Sequence, residues 1–282
     1  METISTLLKK FDTLPASPAL LPRLAQTLSD FKYTDIHEVV DIIVFDSALT
    51  AKLLQIANSA YFGNRAPLTN VGDAISQLGY DIVFRLAAAI CGSSCLKASP
   101  GTGLDSQRLW KHSVIASFGA QHVAQTFALD GNLAFTAGLL HDLGKVVLAE
   151  AYGRNYTSML EPVKRGALPL VEWEAEEYGC SHADVGAALL ENWKLPKPLV
   201  ISVKHHHHPA GAAEYKPLAA CICLGTALAH AYEDQTLEVN PASPEIAASL
   251  KITGLAPNNL RTQWTLIQEK WEFVQTLCDL RM

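Results

Sequence analysis

Nine of the ten histidines follow residue 100, and His37 stands alone before it. Four stretches set them among apolar residues: LWKHSVIAS with His112, AGLLHDLGK with His141 and Asp142, YGCSHADVGAALL with His182, and VKHHHHP with His205 to His208. Imidazole nitrogens combined with a carboxylate suit zinc, manganese, nickel or iron, and disfavour calcium or magnesium held by oxygen alone. The HHHH run is not a purification tag. Tags sit at chain ends, whereas this run closes the patterned segment PKPLVISVK and is stopped by Pro209.

The spacing says which side chains converge. In a helix over SQRLWKHSVIASFGAQHVAQTF, His112 shares a face with Ile115, Ala116 and Gly119, so it points inward. A single inward histidine is either a hydrogen-bonded core residue or a ligand, and both readings stand on this segment. His141 and Asp142 lie in the apolar, helix-like stretch AFTAGLLHDLGKVVLAEAY. Helix neighbours diverge by about 100°, so both reach one ion only from the centre of a buried face. Lys145 follows His141 by four residues and Asp142 by three, over the same patch. A buried Asp142 then needs either that lysine or a bound cation.

Ser181 and Asp184 match a capping box, which places His182 in the first turn of a helix running to about Trp193. Asp184 is spent on the cap, with a ligand role left open. Pro198 suits the first turn of the next helix, PLVISVKHHH. Leu199, Val203, His206 and His207 share one face of it, while Ile201, His205 and His208 lie elsewhere. His208 precedes a proline and should leave the helix. The collected set is His112, His141, Asp142, Lys145, His182, His206 and His207. Five histidines exceed the ligands of one typical zinc ion, whereas two ions sharing the Asp142 carboxylate would use them all. Such a pair could activate water and clamp a phosphoryl group, with Lys145 offsetting developing negative charge.

The elements that must position these residues read as helices. Apolar residues recur at three and four in HEVVDIIVFD, ALTAKLLQIAN and VGDAISQLG, and alternating strand patterns are lacking. Asp35, Ser47, Asn70 and Ser106 are the expected N-caps, with Gly79 closing one helix and Asp81 opening the next. The Gly-, Ser- and Pro-rich stretch 95–107 reads as a linker, giving an N-terminal lobe over 1–100 and a histidine-bearing domain over 101–282. The tail LRTQWTLIQEKWEFVQTLCDL is one amphipathic segment that packs on the body or joins a dimer contact. NSAYFG reads as a helix end and packing knob, Trp173 and Trp193 as core residues, and Lys9–Lys10 and Lys164–Arg165 as solvated faces.

Composition excludes several classes. Hydrophobic residues make up 49% and charged ones 18%, which suits a folded chain rather than a disordered one. A net charge of -6 argues against a general nucleic-acid binder. No apolar run approaches the ~18 residues of a membrane span, and no secretory signal is visible, so the expected compartment is the cytoplasm. The six cysteines form no CxxC pair and read as reduced core thiols.

The ordered pattern of H, then HD with a lysine three residues on, then H, then HH resembles the HD-domain phosphohydrolases, and within them the HDOD (HD-related output domain) group. The likeness extends over nearly the whole chain, through LPASPALLPRLAQTLSD, DSALTAKLLQIANSAYFG and VGDAISQLGYDIVFRLA as well as the histidine segments. It implies an all-α fold: an HD-like helical bundle with an N-terminal helical lobe packed on it. It also implies metal ligands at His112, His141, Asp142, His182, His206 and His207, and a catalytic pair of Asp142 and Lys145 if the protein is active. One or two divalent transition-metal ions would be held, with iron or manganese favoured over zinc or nickel. The sequence departs from the family in two places. Thr226 stands where HD phosphohydrolases supply a late Asp, and PAGAAEYKP replaces the Gly-Tyr-Pro loop of the cyclic di-GMP phosphodiesterases. The implied functions are a signalling module with protein partners, or a phosphohydrolase acting on a nucleotide or other phosphate-bearing small molecule.

Overall fold

The computed structural model describes residues 3–11, 20–27, 36–64, 66–160, 169–236 and 238–280. Among them every regular element is helical, as the periodicity requires. Before residue 96 come α1 (Ile4–Phe11), α2 (Leu20–Gln26), α3 (Ile36–Phe45), α4 (Ser47–Ala57), α5 (Val71–Leu78) and α6 (Tyr80–Cys95). After a non-helical connection at 96–105 come α7 (Ser106–Gln125), α8 (Gly131–Leu140), α9 (Leu143–Tyr152), α10 (Arg154–Thr157), α11 (Leu170–Tyr178), α12 (His182–Asn192) and α13 (Lys197–Lys204). The chain ends with α14 (Lys216–Glu233), α15 (Pro244–Thr253), α16 (Asn259–Glu269) and α17 (Trp271–Cys278). No described helix is long and apolar enough to cross a membrane.

Several helix starts follow from local chemistry. Asn70 accepts from the Asp73 amide, and Ser181 with Asp184 forms the reciprocal capping box expected from sequence. Two caps fall one residue earlier than the pattern suggests. Asp46 caps α4 through the amides of Ala48 and Leu49, and Asp105 caps α7 through that of Arg108. Ser47 and Ser106 are therefore first helical residues, and the Ser106 hydroxyl instead receives the Ala98 amide across the linker. In each pair two good cap formers are adjacent, and an ionised carboxylate is the stronger acceptor. Asp35 and the Lys164–Arg165 pair lie outside the described residues.

The frame around the histidines is set by close helix approaches. α7 crosses α14 at Gly119 and Gly225, where a Cβ on Gly225 would run into the Ala116 carbonyl oxygen and the Ala120 amide. His112, before the crossing on α7, meets Glu233, after it on α14, so the two helices run in opposite directions. α8 reaches α7 equally closely, Gly138 lying over the backbone of Ser117. α9 meets α12 where Gly144 sits against the His182 carbonyl.

One hydrophobic cluster runs from Leu24, Leu53 and Phe84 through Phe118, Phe135 and Leu148 to Phe273 and Leu277. Phe118 and Phe135 meet edge to face at 5.4 Å, and burying each contributes about 1.5–3 kcal/mol. The tail packs on this body as two helices, α16 and α17, because the chain breaks at Lys270. That break lets Phe273 turn onto Phe118 while Trp110 Nε1 donates to the Leu277 carbonyl at 2.9 Å. Tyr61 of the NSAYFG turn stacks on Phe273 at 5.5 Å, the role of a packing knob. All six cysteines are unpaired thiols, five of them buried.

Gly144 is the tightest of these approaches, and its neighbours are backbone atoms that cannot move aside. Gly144→Ala is therefore expected to cost about 3 kcal/mol, the upper part of the overpacking range. Urea unfolding checks this, and an unchanged midpoint would show that α9 and α12 are not locked at this point.

Candidate metal centre

The HD dipeptide does not sit inside a helix, as the apolar periodicity suggested, but at a break between two. α8 ends at Leu140, His141 and Asp142 form a turn, and α9 begins at Leu143. The break has a chemical consequence. The last turn of a helix leaves carbonyl oxygens without intrahelical donors, and Gly138 O accepts from His141 Nδ1 at 2.6 Å. The tetra-histidine run repeats the device. α13 stops at Lys204 rather than continuing through the histidines, and Val203 O accepts from His206 Nδ1 at 2.6 Å. Pro209 contributes to this stop, because His208 must take a non-helical conformation before it.

The remaining two buried imidazoles are held by carboxylates. His182 Nδ1 bonds Glu174 Oε2 at 2.6 Å, and the same oxygen accepts the His182 backbone amide at 2.7 Å. His112 Nδ1 lies 3.2 Å from Glu233 Oε1. All four Nδ1 partners are pure acceptors, so each ring carries its proton on Nδ1 and turns an Nε2 lone pair the other way. The Nε2 atoms of His112, His141 and His206 are buried without a hydrogen-bond partner.

The Nε2 atoms of His112, His141 and His182 converge on Asp142. Its Oδ2 stands 3.4 Å from His141 Nε2 and 3.8 Å from His112 Nε2, while Oδ1 stands 3.3 Å from His182 Nε2. His207, partly exposed, brings its Nε2 to 3.0 Å from His182 Nε2. Two imidazole nitrogens each about 2.0–2.1 Å from a shared ion stand about 3 Å apart. Among the described residues three groups could hold a metal: His112, His141 and Asp142; His182, His206 and His207; and, at the outer side of His112, His112, His230 and Glu233. The Asp142 carboxylate offers one oxygen to each of the first two.

The electrostatics favour a cation. Burial pushes His141 down to about 3 and holds His112, His206 and His207 below the ordinary imidazole value, so these rings are neutral at pH 7. Burial alone would raise the Asp142 carboxyl, but His141 and Lys145 outweigh it and keep it well below its ordinary value. Lys145 Nζ donates to Asp142 Oδ2 at 2.7 Å. Lys145 is paired with Asp142, and the half-exposed Arg108 lies 3.9 Å from Glu233. The pocket thus combines unmatched lone pairs with the buried Asp142 carboxylate.

Every residue of the set read from sequence is brought together, including Lys145. The flanking histidines diverge: His205 packs over Gly211, and His208 is exposed. Asp184 serves the cap, its Oδ2 bonding the Ser181 amide and hydroxyl. Thr226 is buried on α14 with its hydroxyl unpartnered. Sequence reasoning missed Glu174, Glu233 and His230, the last of which lies tilted against His112 with ring centroids 4.6 Å apart. Glu174 lies among Glu172, Glu176 and Glu177, all exposed, and no local pattern separates the one that turns inward.

An all-helical frame around a polyhistidine and aspartate cluster defines a class, the HD-type helical domains. Within it this chain belongs to the HDOD family: residues 14–209 match the HDOD domain. The fold is shared with an HDOD domain protein of unknown function from Geobacter sulfurreducens, at a TM-score of 0.75 and 22% identity over 98% of this chain and 97% of that one. A candidate phosphohydrolase from Shewanella amazonensis superposes at 0.72 with 21% identity, covering 97% of this chain and 98% of that one. By sequence, the chain is 25% identical to an uncharacterized protein of Treponema pallidum, over 95% of this chain but 51% of that protein. A ribonuclease Y of Thermus thermophilus is 32% identical over 106 residues, 38% of this chain and 14% of the enzyme. The chain thus spans about half the length of the first relative and a small part of the second.

The divided tetra-histidine run gives a direct test. After loading with manganese or anaerobic iron, His205→Ala should retain the wild-type metal content, whereas His207→Ala should lose about half of it or more. Elemental analysis of desalted protein reads this. Equal retention by both variants would remove His207 from the centre.

Proposed function

We propose that this chain is an HDOD-type regulatory module for signal transduction that keeps an HD-type metal site of up to two divalent transition-metal ions. The observation that carries the reading is the set of buried, unmatched Nε2 lone pairs on His112, His141 and His206, all oriented by their Nδ1 partners, the first two beside Asp142 and the third beside His182 and His207. An apolar structural core would not assemble such a group, because each unsatisfied buried polar atom costs about 1–3 kcal/mol. The residues fit the ion: His112, His141 and one Asp142 oxygen on one side, and His182, His206, His207 and the other Asp142 oxygen on the second. Nitrogen-rich donors of this kind suit iron, manganese, zinc or nickel, and the resemblance favours iron or manganese.

The regulatory reading rests on what the site lacks. The late carboxylate of the HD phosphohydrolases is replaced by Thr226, whose neutral hydroxyl is a weak ligand. Similarity to a candidate signal transduction protein from Marinobacter aquaeolei, at a TM-score of 0.71 and 21% identity over 98% of this chain and 64% of that one, extends to the fold. Ligand or metal occupancy would be transmitted to protein partners through the helices that carry the donors.

A second reading, a metal-dependent phosphohydrolase, is favoured by Lys145. A bound ion pair would supply Lewis acidity and an activated water. Lys145 keeps Asp142 ionised and places its ammonium where a phosphoryl oxygen's charge could be offset. The two readings separate on one preparation. Metal content is measured after loading with manganese or anaerobic iron, followed by hydrolysis of p-nitrophenyl phosphate and bis-p-nitrophenyl phosphate. The module reading expects about one to two ions per chain, lost in His141→Ala, and no turnover. Turnover abolished by Asp142→Ala would replace it with the enzyme reading. No bound metal under any loading condition would overturn both.

A further inference from the structure

Two carboxylates outside the ligand set stand behind two different halves of the centre. Glu174, on α11, is fully buried, and its environment leaves it no freedom. Oε1 accepts from the Tyr156 hydroxyl at 2.7 Å, while Oε2 accepts from His182 Nδ1 at 2.6 Å and from the His182 amide at 2.7 Å. Glu233, at the end of α14, is built more loosely. Its Oε1 lies 3.2 Å from His112 Nδ1, and its Oε2 is shared between His230 at 3.6 Å and Arg108 at 3.9 Å. Of the other three imidazoles, His141 and His206 are backed by neutral carbonyls.

Building on the two-ion reading above, we propose that Glu174 and Glu233 are positioning residues. Each fixes the tautomer and donor strength of one histidine in a different half, and the Glu174 half is the tighter metal position. An anionic acceptor behind an imidazole fixes its ring and raises the basicity of the far nitrogen. His182 has that support at short distance from a carboxylate held by two further donors. His112 has it at a longer distance from a carboxylate that also meets His230 and Arg108. The donor sets point the same way. His182, His206 and His207 offer three nitrogens beside one Asp142 oxygen, whereas His112 and His141 offer two. Nitrogen-preferring ions should therefore fill the three-histidine position first.

The test uses the full chain in the metal-free state and two readouts. Long-range proton–nitrogen spectra of histidine-labelled protein report the tautomer of each ring. Calorimetric titration with Ni²⁺, an ion that takes imidazole ligands, reports the binding steps. In the wild type, His112 and His182 should both carry the proton on Nδ1, and binding should occur in two unequal steps. E174Q should disturb the His182 tautomer alone and weaken the tighter step by about 10–100-fold, the usual effect of losing such a partner. E233Q should disturb His112 alone and weaken the weaker step by about 10-fold. A purely structural role for Glu174 would lower the unfolding temperature without separating the two rings or the two steps. Should E174Q fail to fold, Tyr156→Phe removes one donor to Glu174 without touching His182, and the same ring and the same step should move by a smaller factor. A His182 tautomer that stays at its wild-type value in these variants overturns the proposal, as does an equal loss in both steps. Wild-type protein that binds neither Ni²⁺, Mn²⁺ nor anaerobic Fe²⁺ refutes the two-ion reading instead, and the tautomer spectra still decide whether Glu174 and Glu233 position the rings.

Discussion

The structure turns on the direction in which four buried imidazoles are forced to point. A neutral imidazole has one proton and one lone pair, and whatever holds one nitrogen decides what the other can do. Here Gly138 O, Val203 O, Glu174 and Glu233 each hold an Nδ1. The Nε2 lone pairs are thereby committed inward, where most find no donor. A buried acceptor without a donor is destabilising unless a cation completes it, so the arrangement makes sense around metal ions.

The helical frame supplies that arrangement by breaking and by crowding. Two of the four acceptors are carbonyls at the ends of α8 and α13, available because the helices stop there. The other two reach in from α11 and α14, which must lie close to α12 and α7. Glycines permit two of the close crossings in this frame, Gly119 and Gly225 where α7 meets α14, and Gly144 and Gly186 where α9 meets α12. The long hydrophobic cluster then fixes these elements relative to one another. Ligand geometry and core packing are therefore one problem, because displacing α12 would move His182 and strain Gly144 together.

Much of this was legible in the sequence. The inward face of His112, the capping box at Ser181, the pairing of Lys145 with Asp142 and the division of the tetra-histidine run all follow from spacing. The breaks at His141–Asp142 and after Lys204 were not legible, because each stretch keeps helical periodicity through the break. Only the preference of the buried rings for freed carbonyls, and of His208 for a non-helical conformation before Pro209, ends the helices. Glu174 was hidden for a different reason. It is one of four glutamates on a short helix, and its burial depends on Tyr156 and His182, residues brought beside it by tertiary folding. The caps at Asp46 and Asp105 show a milder version, where two adjacent cap formers compete and local pattern cannot rank them.

Crystals of protein loaded anaerobically with iron, or with manganese, would put the central claim to its most direct test through anomalous diffraction. The account predicts two anomalous peaks, one bounded by His182, His206 and His207 and the other by His112 and His141, with one Asp142 oxygen facing each. A map with no peak among these residues, their Nε2 atoms bonded instead to water, would contradict it.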